Sequence, residues 1–525
     1  MRTEIAIRNR RRILFVFPHY SPAFGTFSHA YRLIGRVKAF MPPQGPLVLA
    51  AYLPESWEVR FIDENITAAT RADFEWADAV FVSGMHIQSA QIHDIARRAH
   101  AAGRMAVLGG PSVSARPEAY DDFDVLHVGE LGDATDELVA LLDRDVERPE
   151  RQIVLRTQER LALADFPRPA YELVELAAYF IGSVQFSSGC PYRCEFCDIP
   201  SLYGRQPRLK TPAQVTAELD AMMRTKDHPP AIYFVDDNFV GNRRAAKELL
   251  THLVDWQKKN GYPVLFACEA TLNIAKQHDL LAMMREARFD TIFVGIESPD
   301  LDALQAMDKD HNAALPMLEA IQTLNSFGIE VVSGIILGLD TDTAETSQHL
   351  LDFIGQSQIP MLTINLLQAL PRTPLWDRLE RTGRLVEDPL RDSNVDFLRP
   401  YDAVVADWRR VVRQVYTPQA LLDRYRYQVD HTYGNRVQRP VASQLTTRNI
   451  WIGLRLFANL TLRIGMGNDF SRAYWKLFRH CVKVGQVESA LAIGLVAYHL
   501  VTFAQEAAEG RQNASFYAER ARVAN

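Results

Sequence analysis

The feature that most limits how this chain can fold is a group of three cysteines, Cys190, Cys194 and Cys197, within eight residues. One loop must carry all three thiolates around a shared centre, and the fold must present that loop. Cys268 and Cys481 stand alone. This usage is typical of a reduced protein with one metal site and not of a disulfide framework.

The metal chemistry of these three cysteines favours an iron–sulfur cluster. Thiolates are soft ligands that suit such a cluster. A 4Fe–4S cube has four irons, and no fourth cysteine lies nearby, so one iron stays open to bind another molecule. The alternative is a zinc site, but structural zinc normally has four protein ligands.

The first 145 residues alternate short apolar strands with helical stretches, which predicts an α/β domain with a doubly wound, Rossmann-like parallel sheet. Ligands of such sheets bind beyond the carboxyl ends of the strands. The predicted strands are 13–18, 57–63, 77–83, 105–108 and 125–128, and the helices are 45–53, 88–101 and 133–142. The loops at the carboxyl ends are 18–27, 84–88, 109–112 and 129–132.

Three further regions follow this domain, which spans 1–145. Residues 146–178 are polar and poorly periodic, and we interpret them as a linker. Residues 179–400 show six strand–helix units, which predict a partial (β/α)6 barrel whose chemistry lies at the carboxyl ends of its strands. Its predicted strands are 181–187, 232–235, 264–267, 291–295, 331–337 and 362–366.

Residues 401–525 lack strand signals and predict a helical C-terminal domain. Two stretches in it are rich in apolar residues, 450–464 and 490–504. Both are shorter than the ~20 residues that span a bilayer. We interpret them as core helices; the alternative is peripheral membrane contact or a greasy substrate entrance.

Charge limits the choice of partner. The net charge is −6 and the isoelectric point is near 6.2. No basic excess is available to follow a phosphate backbone, so we expect no nucleic-acid partner. The N-terminus shows no signal-peptide core, and we expect a cytoplasmic protein.

The segment from Ser187 to Cys197, SSGCPYRCEFC, resembles the radical S-adenosylmethionine (SAM) superfamily. The resemblance covers the CxxxCxxC spacing and the aromatic residue before the last cysteine. It implies a 4Fe–4S cluster on the three cysteines, with SAM on the open iron. Later motifs match in order, and the resemblance implies SAM contacts from Phe196, Asp236, Asp237, Asn238, Glu269, Gly295 and Glu297.

The N-terminal sheet resembles the cobalamin-binding domain that precedes such barrels. Glycines at strand ends let the backbone approach a bulky ligand. The D-x-H-x-x-G motif that supplies a histidine to cobalt elsewhere is absent, so we expect no lower ligand of that kind. The resemblance implies cobalamin contacts from Gln44, His86, Gly109, Gly110, Pro111, Ser112, Gly129 and Glu130.

Together these motifs resemble the cobalamin-dependent radical SAM methyltransferases, and members that methylate hopanoid lipids at C-2 have the same layout. The resemblance implies methylation of an unactivated carbon of a lipid-like substrate, with a one-electron donor protein. Contact with the inner membrane face stays the alternative interpretation of the apolar C-terminal helices. No side chain is assigned as catalytic from the sequence. The alternatives are another substrate or a ring rearrangement on the same cofactors, and a non-enzymatic cobalamin or iron–sulfur sensor.

Overall fold

The computed structural model describes residues 7–225, 227–309, 316–388, 390–438, 446–465 and 467–513. The first domain is built on a six-stranded, all-parallel sheet in the order β2-β1-β3-β4-β5-β6. Its strands are β1 Arg12–Phe17, β2 Glu58–Asp63, β3 Ala79–Ser83, β4 Met105–Gly109, β5 Val125–Val128 and β6 Ile153–Arg156. Its helices are α1 Ser28–Ile34, α2 Gln44–Tyr52, α3 Arg71–Trp76, α4 Ser89–Ala101, α5 Pro111–Ala115 and α6 Asp133–Arg144.

The central strands β1, β3, β4 and β5 are almost wholly buried, because helices cover both faces of the sheet. The chain order reverses between β1 and β3. In sheets of this order, ligands bind at that switch point. The loops after β1 and β3 are therefore the first place to look for a ligand.

The second sheet also has six parallel strands, in the order β14-β13-β12-β11-β10-β7, and it confirms the predicted partial barrel. Strands β8 and β9 form a separate antiparallel pair. The strands are β7 Gly182–Val184, β8 Ser187–Ser188, β9 Arg208–Leu209, β10 Ala231–Phe234, β11 Leu265–Glu269, β12 Phe289–Glu297, β13 Glu330–Leu337 and β14 Met361–Leu366. The helices are α7 Ile199–Leu202, α8 Pro212–Met223, α9 Arg243–Lys259, α10 His278–Glu286, α11 Leu301–Ala306, α12 Met317–Ser326, α13 Thr346–Ser357 and α14 Pro374–Arg381.

The C-terminal region is helical over its described residues, as predicted. Its helices are α15 Tyr401–Val415, α16 Pro418–His431, α17 Thr447–Ile464, α18 Asp469–Lys483 and α19 Val487–Ala508. Its buried side chains join the same core as the barrel. Helix α19 also contacts α1 of the first domain, so this region links both sheets.

Two local features differ from the sequence-based expectation. The segment 146–178 contains β6, which pairs with β5 at the edge of the first sheet through a short Ile-Val-Leu run. Helix α19 has 22 residues, longer than the apolar stretch 490–504, because polar first and last turns extend it. It is long and apolar enough to cross a membrane by length and composition, yet half of its apolar window is buried inside the protein.

Candidate functional site at two facing sheet edges

The cysteine loop begins directly after β8 at the carboxyl edge of the barrel. Its backbone is held at both ends: the Cys190 N–H donates to the Gly204 carbonyl at 3.2 Å, and the Glu195 N–H donates to the Met307 carbonyl at 3.0 Å. The Glu195 carboxylate accepts two hydrogen bonds from Arg378 of α14, at 2.5 and 3.0 Å. A charge-assisted fork of this kind holds the loop in one conformation.

The three thiols Cys190, Cys194 and Cys197 are partly buried, and burial raises the pKa of each. They therefore need bound metal cations to persist as thiolates. Among the residues that the structure describes, no three His, Cys, Asp or Glu side chains converge closely enough to hold a single ion. Thiolates on a shared cube bind different irons, so they need not meet at one point.

Two adjacent carboxyl groups at the end of β10 support the strand that leads to this loop. Asp236 accepts from the backbone N–H groups of Phe186, at 3.2 Å, and Ser187. Asp237 accepts from the Gly189 N–H at 2.6 Å. Burial raises the pKa of Asp236 to about 7 and that of Asp237 to about 6. The acidic pair thus orients the residues that precede Cys190.

The next two predicted SAM residues lie on the same edge. Asn238 is buried, its side chain acts to lower the pKa of the Cys190 thiol against the larger effect of burial, and its Oδ1 has no hydrogen-bond partner. Glu269 ends β11 and accepts from the Tyr233 hydroxyl at 3.3 Å. Burial, then the charge of Asp237, raises the pKa of Glu269 to about 7. The unpaired amide oxygen of Asn238 and the buried carboxyl group of Glu269 are suited to a ligand that carries an ammonium group.

Glu297 at the end of β12 forms a buried ion pair with Lys309, with Nζ 2.6 Å from Oε1. A Cβ on Gly295 would lie 2.2 Å from that oxygen, and one on Gly334 would lie 3.3 Å from Oε2, so both glycines make room for the carboxylate. Burial alone would lower the pKa of Lys309, but Glu297 and Cys194 hold it above its ordinary value. Its ammonium also lies 5.3 Å over the Phe196 ring.

Sequence reasoning missed Lys309. An isolated lysine in a short polar segment gives no signal of burial, because lysine is almost always exposed. Its position beside Cys194 and Glu297 follows only from the return of the chain after α11. The structure thus adds one buried cation to an edge that the sequence predicted as acidic.

At the carboxyl edge of the first sheet, the loops after β3 and β4 present mainly uncharged groups. His86 lies in the loop after β3, beside the switch point; burial lowers its pKa to about 4, and its Nε2 has no hydrogen-bond partner. The Nδ1 of His86 lies 3.2 Å from Ser112 Oγ, which also contacts the Tyr120 hydroxyl. Gly110 has φ +96°, and a Cβ there would lie 2.5 Å from Ser83 Oγ. Ser112 lies next to Pro111, which begins α5.

The remaining predicted cobalamin residues connect the first domain to the barrel or lie at its strand ends. Gln44 Nε2 donates to the Ser183 carbonyl at 2.7 Å, and its Oε1 has no partner. Glu130 accepts from Ser188 Oγ at 3.3 Å and from Arg208 at 2.6 Å. The other members are Gly109 at the end of β4 and Gly129, which has φ +112°.

These contacts make the two carboxyl edges face each other. Ser188, two residues before Cys190, donates a hydrogen bond from its Oγ to Glu130, in the loop after β5 of the first sheet. Arg116, after α5, lies with its guanidinium 5.8 Å from the centroid of the Trp376 ring of α14. The arrangement can therefore present a metal cluster and a second large ligand to one shared space.

Comparison with known proteins yields three family models. The model of the radical SAM superfamily matches residues 184–354, and that of the B12 binding domain matches residues 32–139. A model described as a domain of unknown function matches residues 373–513.

Curated relatives extend the similarity over nearly the whole chain. The hopanoid C-2 methylase of Rhodopseudomonas palustris (strain TIE-1) is 58% identical over 514 residues, covering 98% of this chain and 97% of that protein. An uncharacterized methyltransferase of Synechocystis is 35% identical over 79% of this chain and 77% of its own length.

Solved structures share the fold. TsrM from Kitasatospora setae, a radical S-adenosylmethionine methyltransferase with cobalamin and a 4Fe–4S cluster bound, gives a TM-score of 0.57 at 15% identity and covers 95% of this chain and all of its own. OxsB, a cobalamin-dependent S-adenosylmethionine radical enzyme with aqua-cobalamin bound, gives 0.59 at 14% identity, covering 97% of this chain and 82% of its own.

Proposed function

The chain belongs to the cobalamin-dependent radical SAM methyltransferases, in the family of the hopanoid C-2 methylase, and on this premise we propose that it methylates C-2 of a hopanoid lipid. The near full-length relationship covers the cysteine loop, both sheets and the helical C-terminal region. The cofactors are a 4Fe–4S cluster, SAM and cobalamin. A cytoplasmic one-electron donor protein completes the scheme.

The residues of the barrel edge fit the cluster and SAM. Cys190, Cys194 and Cys197 would hold the cluster. The orphaned Asn238 oxygen and the carboxyl group of Glu269 would receive the ammonium group of SAM. The other proposed SAM contacts are Phe196, Asp236, Asp237, Gly295 and Glu297.

The residues of the first sheet edge fit cobalamin. The unpartnered Nε2 of His86 and the unpartnered Oε1 of Gln44 offer polar atoms to a ligand, and the left-handed Gly110 lets the loop after β4 pack closely on Ser83. The other proposed contacts are Gly109, Pro111, Ser112, Gly129 and Glu130. The carboxylate of Glu130 already binds Arg208 and Ser188, so it joins the two domains beside the corrin site.

When bound, the cluster and SAM supply the radical that removes hydrogen from an unactivated carbon, and cobalamin supplies the methyl group. The protein itself orients these groups. The Glu195–Arg378 fork fixes the cluster loop, and Asp236 and Asp237 fix the strand before it. The Glu130 contacts with Ser188 and Arg208 hold the two edges at a constant separation.

The single observation that carries the proposal is the hydrogen bond that joins the carboxyl edges of the two sheets. Glu130 follows β5 at the carboxyl edge of one sheet and accepts a hydrogen bond from Ser188, which leads into the cysteine loop of the other. A substrate carbon that one cofactor activates and another methylates must be within reach of both cofactors. This chain provides that arrangement within one polypeptide.

An anaerobic turnover tests the proposal. Reconstituted protein receives methylcobalamin, a strong reductant, diploptene and SAM with a deuterated methyl group. We expect 2-methylhopanoid carrying deuterium after repeated turnover, with 5′-deoxyadenosine and S-adenosylhomocysteine as co-products. Both nucleosides without a methylated hopanoid would contradict the substrate and leave the enzyme class in place. Neither nucleoside, from protein with a confirmed cluster, would favour the sensor alternative.

A further inference from the structure

Helix α17 exposes an unusual number of large apolar side chains. Of the thirteen large hydrophobic residues that are exposed in the described chain, nine lie between 450 and 487. Trp451 is 73% exposed and Leu462 is 81% exposed. The nine are Ile450, Trp451, Ile452, Leu454, Phe457, Leu462, Val482, Val484 and Val487.

Six of the nine lie on α17, and part of this set forms an apolar stripe along the helix. Trp451, Leu454 and Leu462 recur at helical spacing on the outer face. On the inner face, Leu460 is buried, and Phe457 packs on the aromatic rings of α18. Asn459 Nδ2 donates to the Leu33 carbonyl at 2.7 Å, which fixes α17 against α1. The apolar stripe is thus presented to the outside by a fixed helix.

The charge of this region is opposite to that of the rest of the chain. Helices α17 and α18, which we call the basic hairpin, contain seven Arg or Lys residues and one Asp, a formal charge of +6. The whole chain carries −6, so its remainder carries −12. Helix α17 has no acidic residue. Arg463, Lys476, Arg479 and Lys483 are exposed.

From this combination we propose that the basic hairpin docks on an anionic lipid bilayer, with the apolar stripe of α17 inserted among the headgroups. An amphipathic helix with tryptophan and leucine on one face and arginine beside them suits that interface. The positive charge attracts the hairpin to acidic lipids. A two-fold dimer through the same face would bring two +6 surfaces together, which disfavours a second copy as the occupant.

The docking position deepens the proposed function, on which it rests. Helix α17 contacts α1, and α1 follows the loop 18–27 at the carboxyl edge of β1. His499 of α19 holds that loop, with its Nε2 3.1 Å from the Ala23 carbonyl and 3.2 Å from that of Phe24. Docking would therefore bring the edge beside the proposed cobalamin site close to the bilayer. An apolar polycyclic substrate could then reach the site without crossing water.

The test is vesicle flotation of the full chain without substrate. The vesicles are phosphatidylcholine alone or an equal mixture of phosphatidylcholine and phosphatidylglycerol. We expect binding to the mixed vesicles, weakened on the order of tenfold by the Trp451→Ser and Leu462→Ser pair and by the Lys476→Glu and Arg479→Glu pair. The matched controls are Leu398→Ser, an exposed leucine elsewhere, and the Lys258→Glu and Lys259→Glu pair on α9. The controls should bind like the parent.

Equal binding by all variants, or no binding by the parent, would overturn the docking proposal. Sedimentation of the parent as a dimer without lipid, and of the Trp451→Ser and Leu462→Ser variant as a monomer, would assign the face to a second copy instead. Circular dichroism melts confirm that each variant folds. If the protein methylates detergent-dispersed hopanoid but does not bind vesicles, only the docking proposal is contradicted. If it binds vesicles but does not methylate the hopanoid, only the proposed substrate is contradicted.

Discussion

The two parallel sheets of this protein end in edges of different chemistry. The first edge presents glycine, serine and a neutral histidine, with Gly110 in a left-handed conformation and His86 short of a partner. The second presents three thiols and several carboxyl groups, and burial raises the pKa of Asp236 and Glu269 to about 7. The first edge suits the close approach of a bulky ligand, whereas the acidic groups of the second edge favour cationic ligands.

This difference shows how similar frameworks serve different ligands. Both sheets place their ligands at the carboxyl ends of parallel strands. A corrin needs backbone that can come close, and the left-handed glycines Gly110 and Gly129 at the first edge suit that approach. An iron cluster and an ammonium group need negative charge, so the second edge carries carboxyl groups that stay partly protonated until cations arrive.

The largest expected effect comes from removing one thiol from the charged edge. Cys197→Ala should reduce bound iron to background and abolish SAM cleavage, because the cluster loses a ligand. Cys481→Ala is the control, since Cys481 is buried in α18 away from the site. It should keep its iron and lose only about 1–2 kcal/mol of stability. Iron analysis and 5′-deoxyadenosine formation measure both, and iron retained by Cys197→Ala would contradict the assignment.

The second effect concerns the buried cation of that edge. Lys309→Met leaves Glu297 as an unpaired buried charge and should cost about 3–5 kcal/mol in unfolding free energy. Lys210→Met is the matched control, because Lys210 forms another buried lysine–carboxylate pair, with its Nζ 2.5 Å from Glu218 Oε1, and is not among the proposed SAM contacts. Both should be destabilised, but only Lys309→Met should weaken SAM binding in calorimetry. Equal SAM affinity in the two variants would make Lys309 purely structural.

The third effect is a pH dependence of stability that arises from Glu269 at the second edge. Because the pKa of Glu269 is about 7 in the fold, well above its ordinary value, its contribution to stability is complete below about pH 4.5 and lost as pH rises through 7. Glu269→Gln keeps the acceptor for Tyr233 and removes the titration. In cofactor-free protein, the variant should gain roughly 2 kcal/mol over the parent between pH 5 and 8. The same change of unfolding free energy with pH in parent and variant, measured by denaturant titration, would contradict this.

The smallest effect concerns the first edge. His86→Gln should weaken cobalamin binding only a few-fold, about 1 kcal/mol, because one contact among many is lost. The pKa of His86 is lowered to about 4, so the difference should stay constant from pH 6 to 8. His100→Gln, whose ring pairs with Asp124 at 2.9 Å, is the control. Absorbance titration measures both, and equal affinities would place His86 outside the corrin site.

The sequence alone determined the elements and the metal chemistry. Each predicted strand of both sheets is present within a few residues of its expected bounds. Continuous apolar runs such as Ala79–Ser83 are typical of parallel strands that helices cover on both faces. The cysteine loop follows from ligand spacing inside one short segment. Residue type and period are local properties, and a linear chain displays them directly. The domain bounds and the site residues stay predictions.

Tertiary structure alone decided which distant charges meet. The Glu297–Lys309 pair, the Glu130 bonds to Ser188 and Arg208, and the outward face of α17 have no signature in their own segments. The segment before the barrel also shows no strand until β5 offers an edge to β6. Burial and pairing depend on what the rest of the chain places alongside a residue. That information exists only once the two sheets and the C-terminal helices have packed together.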